Sequence, residues 1–526
     1  MDDDAFWAFA ASLKNFAAPA HVAPQLGHSV FTPRPGGVLF LDRLDWGADS
    51  GPALDPTAAV AIPPTEKSEL SALLSLSAGL GRLRLLASSP SLMGPNDPDD
   101  TPAQALLLRR RPVASGGARY PADIYLYLRD WRILPRGLYF YDVPRHALVS
   151  VARGDFDAPL LAATTYDETD LARRALIFVT CSFGRTRAKY HDFAYRLAHQ
   201  DAGVLLGQTM TVAQRLGGHG KVCFLFDDEM LTRLLGIDEV HEGLVGLVGL
   251  LPYGRATKRP AALSTGATPD ARQVAKPSSH QATLYRLREA QQAAKISRPI
   301  ATTLPEALPR MDHLADHVAL PHTPPDPCTR DFLSTVRQRG SSGRRFCKDQ
   351  IDARTVASLL RFATGAYDCD VQNAHRGCIA RPHLGVVLGD VEGIPAGVYA
   401  YDPLERRLWM IRSGDHRAIV AAQLKIPVMN LRLPQLHIHL VGKDPTARDA
   451  LGPRGYRVQQ AEAGIVGQRI QFAATALGLC GHHALGYNTA AIDRLYGLPE
   501  RNLTTLQQVS VGRASPEIAL EGGLLY

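Results

Sequence analysis

Lys189 and Tyr190 stand side by side in the stretch GRTRAKYHDFAYRLAHQDAGVLLGQ, residues 184–208. An amine and a phenol aimed at one point can pass a proton to or from a bound molecule, which is what general acid–base chemistry requires. The plain alternative is two solvated polar residues, so the surrounding elements decide what the pair means. Phe193, Leu197, Val204 and Leu205 recur one or two turns apart and predict that the pair opens a helix. Gly203, within Asp201-Ala202-Gly203, lets that helix pass close to another element because it has no side chain.

Ser115-Gly116-Gly117 is a small-residue loop ahead of a strand in which Ile124, Leu126 and Leu128 alternate with Tyr125, Tyr127 and Arg129. Such a loop lets backbone N–H groups approach an anion or a flat ring, although a plain turn has the same composition. Upstream, KSELSALLSLSAGLGR predicts an amphipathic helix capped by Ser68 and stopped at Gly79 and Gly81. Downstream, 138–141 and 147–151 predict a hairpin, 175–180 and 222–226 predict strands, and 227–236 predicts a helix.

Hydrophobic residues make up 45% and charged residues 21% of the 526, the balance of a soluble globular protein with room for more than one domain. The net charge of +7 is modest for this length, and no Lys/Arg block suggests a nucleic-acid arm. The acidic start MDDDAFW is the opposite of a secretory leader, and no apolar run reaches membrane-spanning length. Seven cysteines without a CxxC pair fit scattered reduced thiols, so a cytoplasmic protein with no membrane or nucleic-acid partner is expected. Cys369, Cys378, His375 and His383 resemble a metal cluster only loosely, and no metal is expected there. His313 and His317, one helical turn apart, lack a third ligand; His437 and His439 share one face of a strand, where a structural role is expected.

The second half repeats the first. GLYFYD at 137–142 returns as GVYAYD at 397–402, and ARGD at 152–155 as RSGD at 412–415, both at an offset of 260. DAGVLLGQ at 201–208 returns as EAGIVGQ at 462–468, and LLGI at 234–237 as LYGL at 495–498. Matches in the same order at nearly constant offset predict an internal duplication, with the two copies packed as the subunits of a dimer would be. The expected organisation is an irregular N-terminal arm over 1–65, a first domain over 66–255, a Pro/Ala-rich linker over 256–330 holding one helix near 281–295, and a second domain over 331–526.

The order SGGARYP, strand, GLYFYD, RGD, KY, DAG and FDD…LLGID resembles the SagB/McbC-type (thiazole/oxazole-forming) dehydrogenases of the nitroreductase superfamily over most of 68–252, with a weaker nitroreductase-like match over 331–515. The resemblance implies an α+β fold, two tandem nitroreductase-like domains each with a central mixed sheet flanked by helices, and FMN at the interface between them. It also implies how the halves divide the work. The first half has Ser115, Gly116 and Gly117 but lacks the Arg/Ser phosphate motif, since Pro63 and Pro64 stand where it would fall. The second half has RGSSGRRF at 339–346, where Ser342, Arg344 and Phe346 fit that motif and Arg339 stands one residue further back than usual. It also has ALGLCGHHALGYN at 476–488, similar to the family's late Gly-rich loop, while its counterpart of SGGARYP is the degraded RGCIARP at 376–382 and it has no Lys-Tyr pair. One composite flavin site is therefore implied. In it Arg339, Ser342, Arg344 and Arg513 would hold the phosphate, Gly481, His482 and Gly486 would lie by the ring, and Lys189 and Tyr190 would face the substrate. His482 and His483 are more simply read as polar loop positions that need no role, although beside a flavin they could tune it or touch substrate.

The implied reaction is oxidation of an azoline ring, made from a Cys, Ser or Thr residue of a peptide or carrier-bound substrate, to an aromatic azole, with hydride passing to the flavin and dioxygen reoxidising it. A cyclodehydratase or carrier protein is the implied partner. Rival readings are a flavin-dependent Cα–Cβ desaturase, a NAD(P)H-dependent nitroreductase, and a flavin-free scaffold subunit of a modification complex.

Overall fold

The computed structural model describes residues 1–14, 38–41, 53–54, 66–87, 105–129, 131–171, 175–250, 281–297, 299–304, 316–322, 330–341, 346–373, 381–425, 430–448, 450–515 and 520–523. The strand Ala122–Leu128 shows why the sequence forms a layered sheet. Its alternation sends Ile124, Leu126 and Leu128 to one face and Tyr125 and Tyr127 to the other, and both faces are buried, in separate apolar clusters. A strand covered on both sides must sit inside a sheet, and this one lies between Gly137–Asp142 and Ala175–Ser182, antiparallel to each.

Two large sheets carry the fold; the expected mixed sheet is found only in the first, whose one parallel pairing is its last strand, while the second is antiparallel throughout its described strands. The first runs Val38–Phe40, Ala147–Arg153, Gly137–Asp142, Ala122–Leu128, Ala175–Ser182, Glu242–Leu250, Gly220–Cys223 and then Asp368–Cys369, a parallel strand lent by the second half. The second runs His317–Ala319, Arg407–Ser413, Gly397–Asp402, His383–Leu388, Leu436–Lys443, Leu503–Gly512 and Cys480–Ala484. The orders match strand for strand, and so do the irregularities. The hairpin register slips between Leu138 and Tyr139 in one sheet and between Val398 and Tyr399 in the other. The hydroxyls of Tyr139 and Tyr399 donate to the carbonyls of Pro135 and Pro395. Gly236 and Gly497, in the repeated LLGI and LYGL, end matching helices in the left-handed conformation.

The arm and the linker also carry matching pieces. The helix Asp3–Ser12 ends by presenting the Leu13 carbonyl to Arg196, and the helix Gln281–Ala293 ends by presenting the Ala294 carbonyl to Arg457. The edge strands Val38–Phe40 and His317–Ala319 are followed by Leu41 and Leu320, whose N–H groups donate to the carbonyls of His146 and Arg406, each at 3.0 Å. Sequence periodicity misses this because the two helices share almost no side chains. His317 therefore lies on a strand, not one helical turn from His313, which is outside the described residues.

The two halves meet through two long helices, Ala194–Arg215 and Pro453–Ala476. A Cβ on Gly203 would sit 1.9 Å from the Ala461 carbonyl oxygen, and one on Gly464 would sit 2.1 Å from that of Gln200. These two glycines hold the same place in their halves, at an offset of 261, so the backbones touch at a pseudo-twofold axis. Tyr195 and Tyr456, also 261 apart, stack across that axis with ring centres 6.3 Å apart. Buried Asp228 of the first half pairs with Arg454 and Arg457 of the second, joining the halves by charge where water is excluded.

Two local expectations are corrected. Ser68 does not cap its helix, which spans Glu66–Ala78 and buries Ser68 inside it. Lys189 and Tyr190 do not open the long helix; they end a short one, Phe183–Tyr190, and a break at His191 (φ +48°) and a 3₁₀ turn separate them from Ala194. Among the described residues no helix is long and apolar enough to cross a membrane.

Substituting Gly203 or Gly464 by Ala is expected to cost about 1–3 kcal/mol or more by overpacking, read as a lower thermal midpoint. Gly184→Ala, where the added carbon meets nothing closer than 3.9 Å, is the control expected to leave the midpoint unchanged or raised.

Candidate functional site

The break after Tyr190 leaves Lys189 and Tyr190 facing the loop Ser115–Gly117. A Cβ on Gly117 would lie 2.6 Å from the Tyr190 hydroxyl and 3.1 Å from Lys189 Nζ, so no other residue fits without displacing the pair. A Cβ on Gly116 would lie 2.5 Å from Leu197. The loop is held in an unfavourable shape: Gly117, Ala118 and Tyr120 all have φ between +46° and +60°. Such backbone strain persists where surrounding bonds impose it. Here Ser115 Oγ donates to Asp201 Oδ2 at 2.6 Å and accepts from Tyr120 N at 2.8 Å, Gly116 N donates to the same carboxylate at 3.2 Å, and Arg185 holds the Tyr120 carbonyl at 2.8 Å. Asp201, on the long helix two residues from the crossing glycine, is thus the anchor of the loop.

Across a cavity of about 570 Å³ the second half supplies the opposite wall. Arg339, 5% exposed, follows the helix Phe332–Gln338, and its guanidinium donates to the Arg111 carbonyl of the first half at 2.8 Å. His482 and His483 lie on the strand Cys480–Ala484, opposite Ser510 and Val509. They are strand residues, which corrects the expected loop. Gly486 lines the cavity beyond that strand's end. Gln507 donates to Gln200 at 3.0 Å, and Gln200 donates to Gln460 at 2.7 Å, so the cavity lies over a buried amide network shared by both halves.

The electrostatics favour an anionic guest. Arg110, Lys189 and Arg339 line the space, and its carboxylate, Asp201, is pushed up to about 7 by burial against the opposing pull of Ser115 and Gly116. Burial and then the charge of Arg119 lower Lys189, bringing its amine closer to the free-base form. Burial and the Asp201 charge raise Tyr190 to about 12, so the phenol keeps its proton at neutral pH. Burial lowers His482 to about 4; burial, His482 and Arg339 lower His483 to about 3. Both imidazoles are neutral at pH 7 and offer hydrogen bonds, not charge.

Of the residues singled out from sequence, Ser115, Gly116, Gly117, Lys189, Tyr190, Arg339, His482 and Gly486 line this one cavity. Gly481 is buried against Gln471, where a Cβ would meet Cγ at 3.1 Å; its smallness serves packing. Arg513 is half-exposed and its Nε lies 3.3 Å from Asp349, beside a separate shallow pocket that also includes Asp352 and Glu392. Ser342 and Arg344 lie outside the described residues, as do Cys378 and His375. His437 and His439 have all four ring nitrogens bonded within the protein, to Ser510, Leu431, Tyr496 and Gln508. Asp201, Gln200, Gln507 and Arg110 were missed. The signal for Asp201 was present, a carboxylate one turn after Leu197 on the face that meets the loop, but only the fold shows what it binds.

The cradle fits a flat anionic cofactor. Glycines keep Cβ atoms out of one wall, three cations face the space, and its volume falls within the roughly 300–1,000 Å³ usual for cofactor sites. Among the described residues, the buried nitrogens His482 Nδ1 and His483 Nε2 meet no hydrogen-bond partner.

The profile of the nitroreductase family matches residues 65–255. A candidate nitroreductase of Methanocaldococcus jannaschii is 27% identical over 144 residues, 27% of this chain and 69% of that protein. Among solved structures, a candidate nitroreductase of Anabaena variabilis aligns with a TM-score of 0.68 at 22% identity, over 90% of this chain and 96% of its own, so the fold extends through both halves. The E. coli microcin synthetase McbBCD complex with truncated pro-MccB17 aligns over 46% of this chain and 76% of its own at 18% identity, with a TM-score of 0.28.

Asp201 titrates higher folded than unfolded, so the folded state keeps its proton between about 4 and 7 and loses stability as pH rises through that window. Asp201→Asn removes this dependence. The thermal midpoint of the variant minus that of the wild type is expected to increase from pH 4 to 7 and level off above, whereas a constant difference would show that Asp201 ionises normally.

Proposed function

We propose that this chain is a flavin-dependent oxidoreductase of the azoline-oxidising type, built as a tandem duplication with one composite active site. The observation that carries it is the meeting of Lys189, Tyr190 and the Ser115–Gly117 loop with Arg339, His482 and Gly486 in one cavity. A peptide or carrier-bound azoline would enter it, and its ring would lose one proton and one hydride to become aromatic. Bound FMN would supply the two-electron acceptor.

The protein's own residues would do the rest. Arg339, together with Ser342 and Arg344 of the same segment, would bind the phosphate, and Gly116 and Gly117 would admit the ring plane. Lys189, its amine deprotonated more readily by burial and Arg119, would take the proton from the substrate carbon. Tyr190, still protonated at neutral pH, would donate a hydrogen bond at the same point, and Lys189 Nζ lies 5.4 Å from the centre of its ring. Asp201 would keep the loop in register without acting as the base, because its oxygens are committed to Ser115 and Gly116.

The purified protein is expected to be yellow and to oxidise a thiazoline- or oxazoline-containing peptide with dioxygen and no nicotinamide. Lys189→Ala is expected to keep the flavin spectrum and lose about 10²–10⁴-fold in turnover. Unchanged turnover would remove Lys189 from the chemistry, strict NAD(P)H dependence would favour nitroreduction, and a colourless protein that does not take up FMN would favour the scaffold reading.

A further inference from the structure

A pseudo-twofold frame generates two equivalent positions, and the second is occupied by the chain itself. Applying the offset of 261 to the wall of the open cavity carries Asp201 to Glu462, and carries Leu485 and Gly486 back to Phe224 and Leu225. In the open site Asp201, Leu485 and Gly486 face the cavity. At the second position Glu462, 1% exposed, accepts from the Tyr367 hydroxyl at 2.8 Å and pairs with Arg381. The backbone N–H groups of Phe224 and Leu225 donate to the two oxygens of Asp370 at 2.8 and 2.9 Å, and Thr165 donates to the same carboxylate at 2.8 Å. Asp368–Cys369 adds itself as a strand to Lys221–Val222. Tyr367 to Asp370 thus covers the positions that correspond to open wall on the other side.

We infer that this chain retains a second cofactor position which its own segment Tyr367–Asp370 closes, with the Asp370 carboxylate standing where a ligand oxygen would stand, so that one chain holds one flavin. The stoichiometry rests on the flavin reading above; the closure rests on these hydrogen bonds alone. Closure also explains why the asymmetry lies in the sequence. The half that lends Tyr367–Asp370 has no Lys-Tyr pair to serve at that position, and the described counterpart of Gln507 there is Gly246.

Two readouts test it. Protein loaded with excess FMN and desalted is expected to carry one FMN per chain, and two would overturn the inference. Zero FMN would sink the flavin reading while leaving closure to the second readout, which is brief alkylation of the native protein followed by peptide mapping. Cys223 and Cys369, both buried at the closed position, are expected to stay unlabelled while half-buried Cys347 and Cys480 react. Asp370→Ala, which strips the acceptor from two backbone N–H groups, is expected to raise labelling of Cys223 and Cys369 about tenfold or more. Wild-type labelling of those two as fast as Cys347, or no increase in a folded Asp370→Ala or Asp370→Asn, would show that the segment does not hold the position shut.

Discussion

The two long helices cross at backbone contact because Gly203 and Gly464 leave nothing between them. A side chain on either would hold the helices apart, and every cross-half feature described above would move with them. Asp201 lies two residues from the crossing and Gln200 three, so the loop anchor and the amide network are positioned by the same contact that joins the halves. The packing term and the functional geometry are therefore one constraint. Around it the interface is reinforced by Tyr195 stacked on Tyr456 and by the buried charges of Asp228, Arg454 and Arg457. A buried carboxylate held by two guanidiniums fixes register as well as affinity, since a shifted partner would leave a charge unpaired.

The frame is symmetric and the two cavity walls are not. Asp201 and Glu462 occupy equivalent points, yet one fixes a strained glycine loop beside an open cavity and the other is bonded to Tyr367 and Arg381. Identical halves in a dimer could not do this, because each would need both wall types. Within one chain the two halves can differ, so that each supplies one wall. The left-handed backbone at Ala118 and Tyr120 lies in the wall that carries Lys189 and Tyr190 and is held by the Ser115, Asp201 and Arg185 bonds.

Much of the fold was legible because repeated turns and glycines leave repeated words. GLYFYD and GVYAYD encode the same bulged hairpin, and LLGI and LYGL the same left-handed helix end. The Lys-Tyr pair, the small-residue loop and Gly203 were legible because each is a residue type that geometry makes hard to replace. The repeat of the Asp3–Ser12 helix in Gln281–Ala293 was not, because each half uses different apolar residues, Phe6 in one and Leu287 in the other, to fill equivalent space. Nor was the helix break at His191, where no Gly or Pro marks the turn. Arg513 illustrates a further limit: chain proximity to a candidate loop does not say which side of a strand a guanidinium leaves from, and this one leaves toward Asp349.

In the proposed arrangement a single flavin lies between the halves and is touched by both. A crystal structure of the FMN-loaded protein measures this directly. One isoalloxazine ring is expected in the cavity, with Gly117 and Lys189 on one side and Arg339 and the 482–486 segment on the other. A flavin held wholly within one half, or seated at the position covered by Tyr367–Asp370, would contradict it.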